Sequence, residues 1–148
     1  MIEIAKPCDI PELAGLLEIL FSQETEFFPD PQRQAASLSF IIENPDSGTI
    51  LVFREKSGVA GMVNLLYTVS TARGGRVAIL EDMVVRPGAR GRGIGSQLLK
   101  AAIDKARSSG CSRITLLTDS DNHDAMRFYS RHGFSRSQMI VMRLLNEE

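Results

Sequence analysis

The chain has no tryptophan, only two cysteines, and no apolar run near the roughly 18 residues that a helix needs to cross a bilayer. Each shortage excludes something. Cys8 and Cys111 stand far apart, with no CxxC and no HxxxH in the chain, so no metal site is expected and the two thiols read as free and buried rather than bridged. Charge of one sign is also missing: 17 Lys and Arg against 18 Asp and Glu leave a formal net charge of −1. A general nucleic-acid binder would carry a large basic excess, so neither nucleic acid nor a membrane is an expected partner. What basic character exists is local, at residues 90–92 and around Arg73 and Arg76, which suits a phosphorylated small molecule. The opening Met1-Ile2-Glu3-Ile4-Ala5-Lys6 lacks the basic start and apolar block of a secretion signal, so a cytoplasmic protein is expected. The 148 residues, 43% hydrophobic and 24% charged, suffice for a single domain spanning 1–148 around one core.

Periodicity gives the elements. Ile2 to Ala5 reads as a strand. Asp9 and Glu12 have capping-box spacing, and Ile10, Leu13, Leu16, Leu17 and Leu20 recur on one helical face. Pro29-Asp30-Pro31 breaks the chain before a second helix over 31–43. Strands over 49–54 and 59–69 are joined as a hairpin through Glu55-Lys56-Ser57-Gly58. A flexible connection over 71–76 leads to an apolar strand over 77–85. A helix follows to Ser109-Gly110, then a strand over 113–118, a helix over 122–132, and a last strand over 139–145.

The most informative stretch is Arg90-Gly91-Arg92-Gly93-Ile94-Gly95-Ser96, between the strand ending at Val85 and a helix whose apolar positions are Leu98, Leu99, Ala102, Ile103 and Ala106. The first turn of a helix leaves N–H groups unpaired at the positive end of the macrodipole, and glycine lets an anion approach them. A phosphate is the expected ligand. A Walker-type loop is excluded, because no lysine followed by Ser or Thr succeeds the last glycine. A dinucleotide loop can be laid over Gly91 and Gly93, with Ser96 in the last glycine's place and Asp119 near the ribose-binding position, so on spacing alone that reading stays open.

Arg90-x-x-Gly93-x-Gly95 resembles the R/Q-x-x-G-x-G/A loop of the GNAT family of N-acetyltransferases. A second motif supports the likeness: the family's N-x-x-A-x-x-F-Y helix ending at G-F is similar to Asn122-His123-Asp124-Ala125-Met126-Arg127-Phe128-Tyr129 followed by Gly133-Phe134. The resemblance is close over 77–134. It implies an α/β (α+β) GNAT fold, a mixed, mostly antiparallel sheet with splayed central strands in the order β-α-α-β-β-β-α-β-α-β.

The resemblance also implies the chemistry, acetyl transfer from acetyl-CoA to a primary amine by direct attack in a ternary complex. The backbone of Arg90, Gly91, Arg92, Gly93, Ile94, Gly95 and Ser96 would hold the pyrophosphate. That of Met83, Val84 and Val85 would hold the pantetheine arm and aim a donor at the thioester carbonyl. Tyr129 would protonate the departing thiolate, and Asn122 would cap its helix and bond the arm. Phe128 reads as core. Glu81 is the candidate general base. Residues alternate across a strand, so Glu81 and Asp82 face opposite ways unless a bulge intervenes, and the base is Glu81, Asp82 or neither. The acceptor is expected to be a small-molecule amine. Three carboxylates and two aromatics in Glu24-Thr25-Glu26-Phe27-Phe28-Pro29-Asp30 would receive a cationic amine or polyamine, or else form a solvated loop. The apolar Met139-Ile140-Val141-Met142 permits a homodimer or a monomer core. An acetyl-CoA-binding sensor or interaction module without turnover is the alternative function.

Overall fold

The computed structural model describes residues 1–24 and 28–146. The chain forms two compact units, Met1–Leu117 and Thr118–Glu148. The first contains β1 (Ile2–Ile4), α1 (Ile10–Gln23), α2 (Pro31–Glu43), β2 (Gly48–Glu55), β3 (Gly58–Ser70), β4 (Gly75–Val85), α3 (Ile94–Ser108) and β5 (Ile114–Leu116); the second contains α4 (His123–Arg131). The strands form one sheet in the order β1-β2-β3-β4-β5, antiparallel up to β4 and parallel between β4 and β5. This is the mixed, mostly antiparallel sheet expected. Among the described residues no helix is long and apolar enough to cross a membrane.

Both faces of the sheet are covered. Leu13, Leu16 and Leu17 of α1 and Leu38 of α2 cluster with Ile50, Val52, Val59 and Met62. Leu51, Val63 and Leu65 occupy the alternate strand positions and are equally buried, and Leu98, Leu99, Ala102 and Ala106 give α3 its buried stripe. Burying one such leucine contributes roughly 1.5–3 kcal/mol relative to exposure. α3 ends where the sequence suggests, at Gly110 in the left-handed region (φ 84°).

Several expectations fail for identifiable reasons. Asp9 does not cap α1. Its carboxylate instead takes both NH groups of Arg54 (3.0 and 2.9 Å) and the Lys6 N–H (2.8 Å), and the Arg54 hydrogen bonds hold its carboxyl below the usual range. Glu12, the other half of the supposed capping box, accepts the Val59 N–H at 2.8 Å, tying α1 to β3. Asp30 does cap α2, accepting from the Arg33 N–H. Cys8 is exposed and Cys111 half-buried, so neither is buried as expected, although both thiols are free. Arg73 and Arg76 are used structurally: Arg73 bonds Ser112, and Arg76 lies 4.4 Å over the Tyr67 ring.

The last strand is absent. Residues 133–146 join no ladder, and Met139 (87% exposed), Ile140 (84%) and Met142 (88%) face solvent. A run of apolar residues carries strand propensity, but a strand also needs a partner for its N–H and C=O groups, and these residues pair with no strand.

Candidate active site

The site begins with a defect in a ladder. β3 and β4 pair as Met62↔Val84 and as Asn64↔Glu81, so a single β3 residue, Val63, opposes both Asp82 and Met83. Asp82 is the extra residue of a β-bulge and has φ 54°, the only described non-glycine residue with positive φ. Aspartate tolerates this conformation better than most residues. The bulge interrupts the alternation of side chains. Glu81 and Asp82 therefore line the same cavity, of about 250 Å³, under α1 and α2.

The cavity has a polar floor and apolar walls. Asn64, Glu81 and Asp82 supply the floor, and Leu17 and Phe21 of α1, Leu38 and Ile41 of α2 and Leu66 of β3 the walls. Gln34 and Ser37 add neutral polar groups from α2. Asn64 Nδ2 donates to Asp82 Oδ2 at 3.2 Å. Its Oδ1 is buried with no hydrogen-bond partner, in a residue only 3% exposed. Burial raises the Asp82 carboxyl above the usual carboxylate range, against the smaller opposing effect of the Asn64 bond.

Past the bulge, β4 has one open side. Its pairing with β5 stops at Leu80↔Leu116, whereas its pairing with β3 continues to Gly61↔Val85. These are the splayed central strands. The Arg86 N–H donates to Ala60 O at 2.7 Å. Because bonded and non-bonded pairs alternate in an antiparallel ladder, Val84 turns its backbone groups toward β3, and Met83 and Val85 turn theirs outward. The Val85 carbonyl accepts from Arg90 Nε at 3.0 Å on that side.

The glycine loop follows directly. Gly91 (φ 81°) and Gly93 (φ 77°) are left-handed, and no described atom beyond the adjoining residues lies within 4 Å of where a Cβ would stand on either; backbone conformation, not crowding, requires glycine there. Gly93 is the N-cap of α3 and offers no side-chain acceptor, and the first turn has no acidic residue. The N–H groups from Ile94 through Ser96 thus lack both intrahelical and side-chain partners, an arrangement that favours an anion. Arg92 pairs with Glu55 at 2.8 Å, which anchors the loop to the β2–β3 turn and offsets part of its charge.

In the second unit, Asn122 caps α4 through Oδ1, which accepts the Ala125 N–H at 3.1 Å. Tyr129 belongs to an aromatic cluster with Phe128 and Phe134, at centroid separations of 5.2 and 5.8 Å. Burial raises its phenol above the ordinary tyrosine value. Phe128 is only partly buried, and α4 has no fully buried residue, so the core role expected for Phe128 is not met. His132 Nδ1 lies 3.0 Å from Phe128 O at the helix end, a structural placement. Among the described residues no His, Cys, Asp and Glu group converges as a metal site would require.

Sequence reasoning missed Asn64, Gln34 and Ser37. A lone asparagine inside Gly61-Met62-Val63-Asn64-Leu65-Leu66 was the available signal, since a polar side chain in an apolar strand needs a partner. Of the stretch 24–30, read as either an acceptor-binding or a solvated loop, residues 25–27 lie outside the described residues, and Phe28 is exposed.

Comparison with known proteins gives the family and the fold. The model of the acetyltransferase (GNAT) family matches residues 13–134. An uncharacterized N-acetyltransferase, YhfO, of Bacillus subtilis (strain 168) is 35% identical over 136 residues, covering 90% of this chain and 91% of that one. The aminoalkylphosphonate N-acetyltransferase of Salmonella typhimurium is 37% identical over 87 residues, 59% of this chain and 56% of its own length. Among solved structures, a putative acetyltransferase from Agrobacterium tumefaciens str. C58 superposes with a TM-score of 0.83 at 25% identity, covering 98% of this chain and 99% of the other.

Proposed function

The chain belongs to the acetyltransferase (GNAT) family of N-acetyltransferase enzymes, and from that premise we propose that its 148 residues act as one domain that moves an acetyl group from acetyl-CoA to a small-molecule primary amine, by direct attack in a ternary complex. Acetyl-CoA supplies the activated acetyl thioester. The observation that carries the reading is the continuous path from an open-sided strand, Met83–Val85, into an uncapped helix N-terminus at Gly93–Ser96.

Each residue has a part in the proposal. Backbone N–H groups from Arg90 through Ser96, with the Arg90 and Arg92 side chains, hold the diphosphate. Met83 and Val85 offer outward backbone groups to the pantetheine arm, and an N–H of this strand polarises the thioester carbonyl. Val84 fixes the strand to β3. Glu81 at the cavity floor takes the proton that an alkylammonium must lose before it attacks, directly or through water. Tyr129, whose phenol is protonated at neutral pH and is pushed further up by burial, gives a proton to the departing thiolate. The Asn122 amide contributes a donor for the arm. The proposed assembly is a homodimer, for which the exposed Met139–Met142 run supplies apolar surface.

Titration calorimetry with CoA tests the anchoring. Gly93→Val forces a β-branched residue into φ 77° and moves the first N–H groups of α3, so the dissociation constant is expected to rise at least about tenfold, 1.4 kcal/mol. Unchanged CoA affinity in this variant, with the wild-type fold retained, would remove the loop from the site.

A further inference from the structure

We propose that Asn64 and Asp82 form the ammonium-binding floor of the acceptor site, and that the acceptor is a monocationic primary amine on a small apolar body carrying no anionic group. This deepens the N-acetyltransferase reading and rests on it.

The floor asks for a donor. Asn64 Oδ1 is a buried acceptor without a partner, and its Nδ2 is already committed to Asp82. Leaving such a carbonyl unsatisfied is costly, and an ionised carboxylate beside it accepts only. An alkylammonium brings three N–H donors and one positive charge, which answers both needs. The raised Asp82 carboxyl points the same way, because burial without a facing cation is what raises it. The bulge gives the pair its direction. Without the extra residue, Asp82 would lie on the opposite face of β4 from Glu81, and the cavity would hold one carboxylate rather than two. Asp82 would then bind the charged amine and Glu81 remove its proton.

The walls define the rest of the molecule. Leu17, Phe21, Leu38, Ile41 and Leu66 suit an alkyl or aryl body, and Gln34 and Ser37 suit a neutral hydrogen-bonding end. No arginine, lysine or histidine lines this cavity among the described residues. A phosphonate or phosphate would enter a cavity whose described lining holds carboxylates and no cation. A second ammonium, as in a polyamine, would be buried against leucine. At about 250 Å³ the space is below the roughly 300–1,000 Å³ of drug-sized sites.

The test measures acetyl transfer as CoA thiol release with 2-phenylethylamine, n-hexylamine, 2-aminoethylphosphonate and spermidine, alongside acetyl-CoA binding by calorimetry. The expected order puts both apolar amines at least about 100-fold above 2-aminoethylphosphonate and spermidine in kcat/KM. Asp82→Asn retains a side chain that tolerates φ 54°. It should raise KM for the apolar amines at least about tenfold while leaving acetyl-CoA affinity unchanged. Asn64→Leu should do likewise. Preference for the phosphonate or the polyamine, or an unchanged KM in Asp82→Asn, would overturn the inference while leaving the acetyltransferase reading intact. Tight acetyl-CoA binding with no turnover of either apolar amine would overturn it too. Failure to bind acetyl-CoA at all would remove the underlying reading, and the inference with it.

Discussion

At the scale of single residues, the proposed site divides proton work between groups that burial pushes in the same direction for different ends. Desolvation raises both the Asp82 carboxyl and the Tyr129 phenol. For Asp82 a bound ammonium would relieve the cost. For Tyr129 the shift extends the pH range over which the phenol keeps its proton, which is the form an acid needs. A phenol ordinarily titrates near about 10, so a raised value keeps the donor intact through and beyond that point. Tyr129→Phe is expected to lower kcat about 100-fold, the low end for loss of a positioned acid, with acetyl-CoA affinity unchanged. The wild-type rate should show no loss assignable to this phenol below about pH 10. Initial rates from pH 6 to 10 for both proteins decide it. Equal kcat in the two would assign the thiolate's proton to another source.

At the scale of elements, β3 has to approach both β4 and α3 closely where the sheet splays. A Cβ on Gly61 would stand 3.0 Å from Leu98 Cδ1, 3.1 Å from the Val84 carbonyl oxygen and 3.3 Å from Val85 Cγ2. The leucine can turn aside, but the Val84 backbone is fixed by the ladder. Gly61→Ala should cost roughly 1–3 kcal/mol by overpacking, read as a lower urea midpoint. It should also weaken acetyl-CoA binding, because the strain falls on Val84–Val85. An unchanged midpoint would show that the sheet yields there. The same elements show what was legible beforehand. α3, β2, β3 and β4 follow their hydrophobic period, and the glycine loop was visible because three glycines between a strand and a helix have few other uses. The bulge was not visible. It is a register event created by pairing with β3, and Asp82 looks like any alternating strand residue until Asn64↔Glu81 and Met62↔Val84 are known. Asp9 misled for a similar reason: its local capping pattern was real, but a two-pronged bond from Arg54, 45 residues away, outcompeted it. The C-terminal strand failed because an apolar run states a propensity without providing an edge.

For the whole molecule, burial is unevenly distributed along the chain. Among the described residues, every fully buried hydrophobic one lies between Ala5 and Ala106. The segment from Arg136 to Asn146 has no fully buried side chain and no ladder, yet it includes six of the large exposed hydrophobics: Met139, Ile140, Val141, Met142, Leu144 and Leu145. Its apolar surface cannot contribute hydrophobic stabilisation within the chain while it stays in water. A chain ending at Ser135 should therefore unfold in dilute urea titrations within about 0.5 kcal/mol of the full-length protein, the range of surface changes. In concentrated solution the two should part. If Met139–Met142 supplies the dimer surface, light scattering should give the full chain a concentration-dependent mass approaching twice the monomer, and the shortened chain a monomer mass throughout. A loss of several kcal/mol on truncation would mean that these residues cover the core in solution. Equal masses for the two chains at every concentration would move any self-association to another surface, because the truncation removes that apolar run and leaves the sheet and α4 intact.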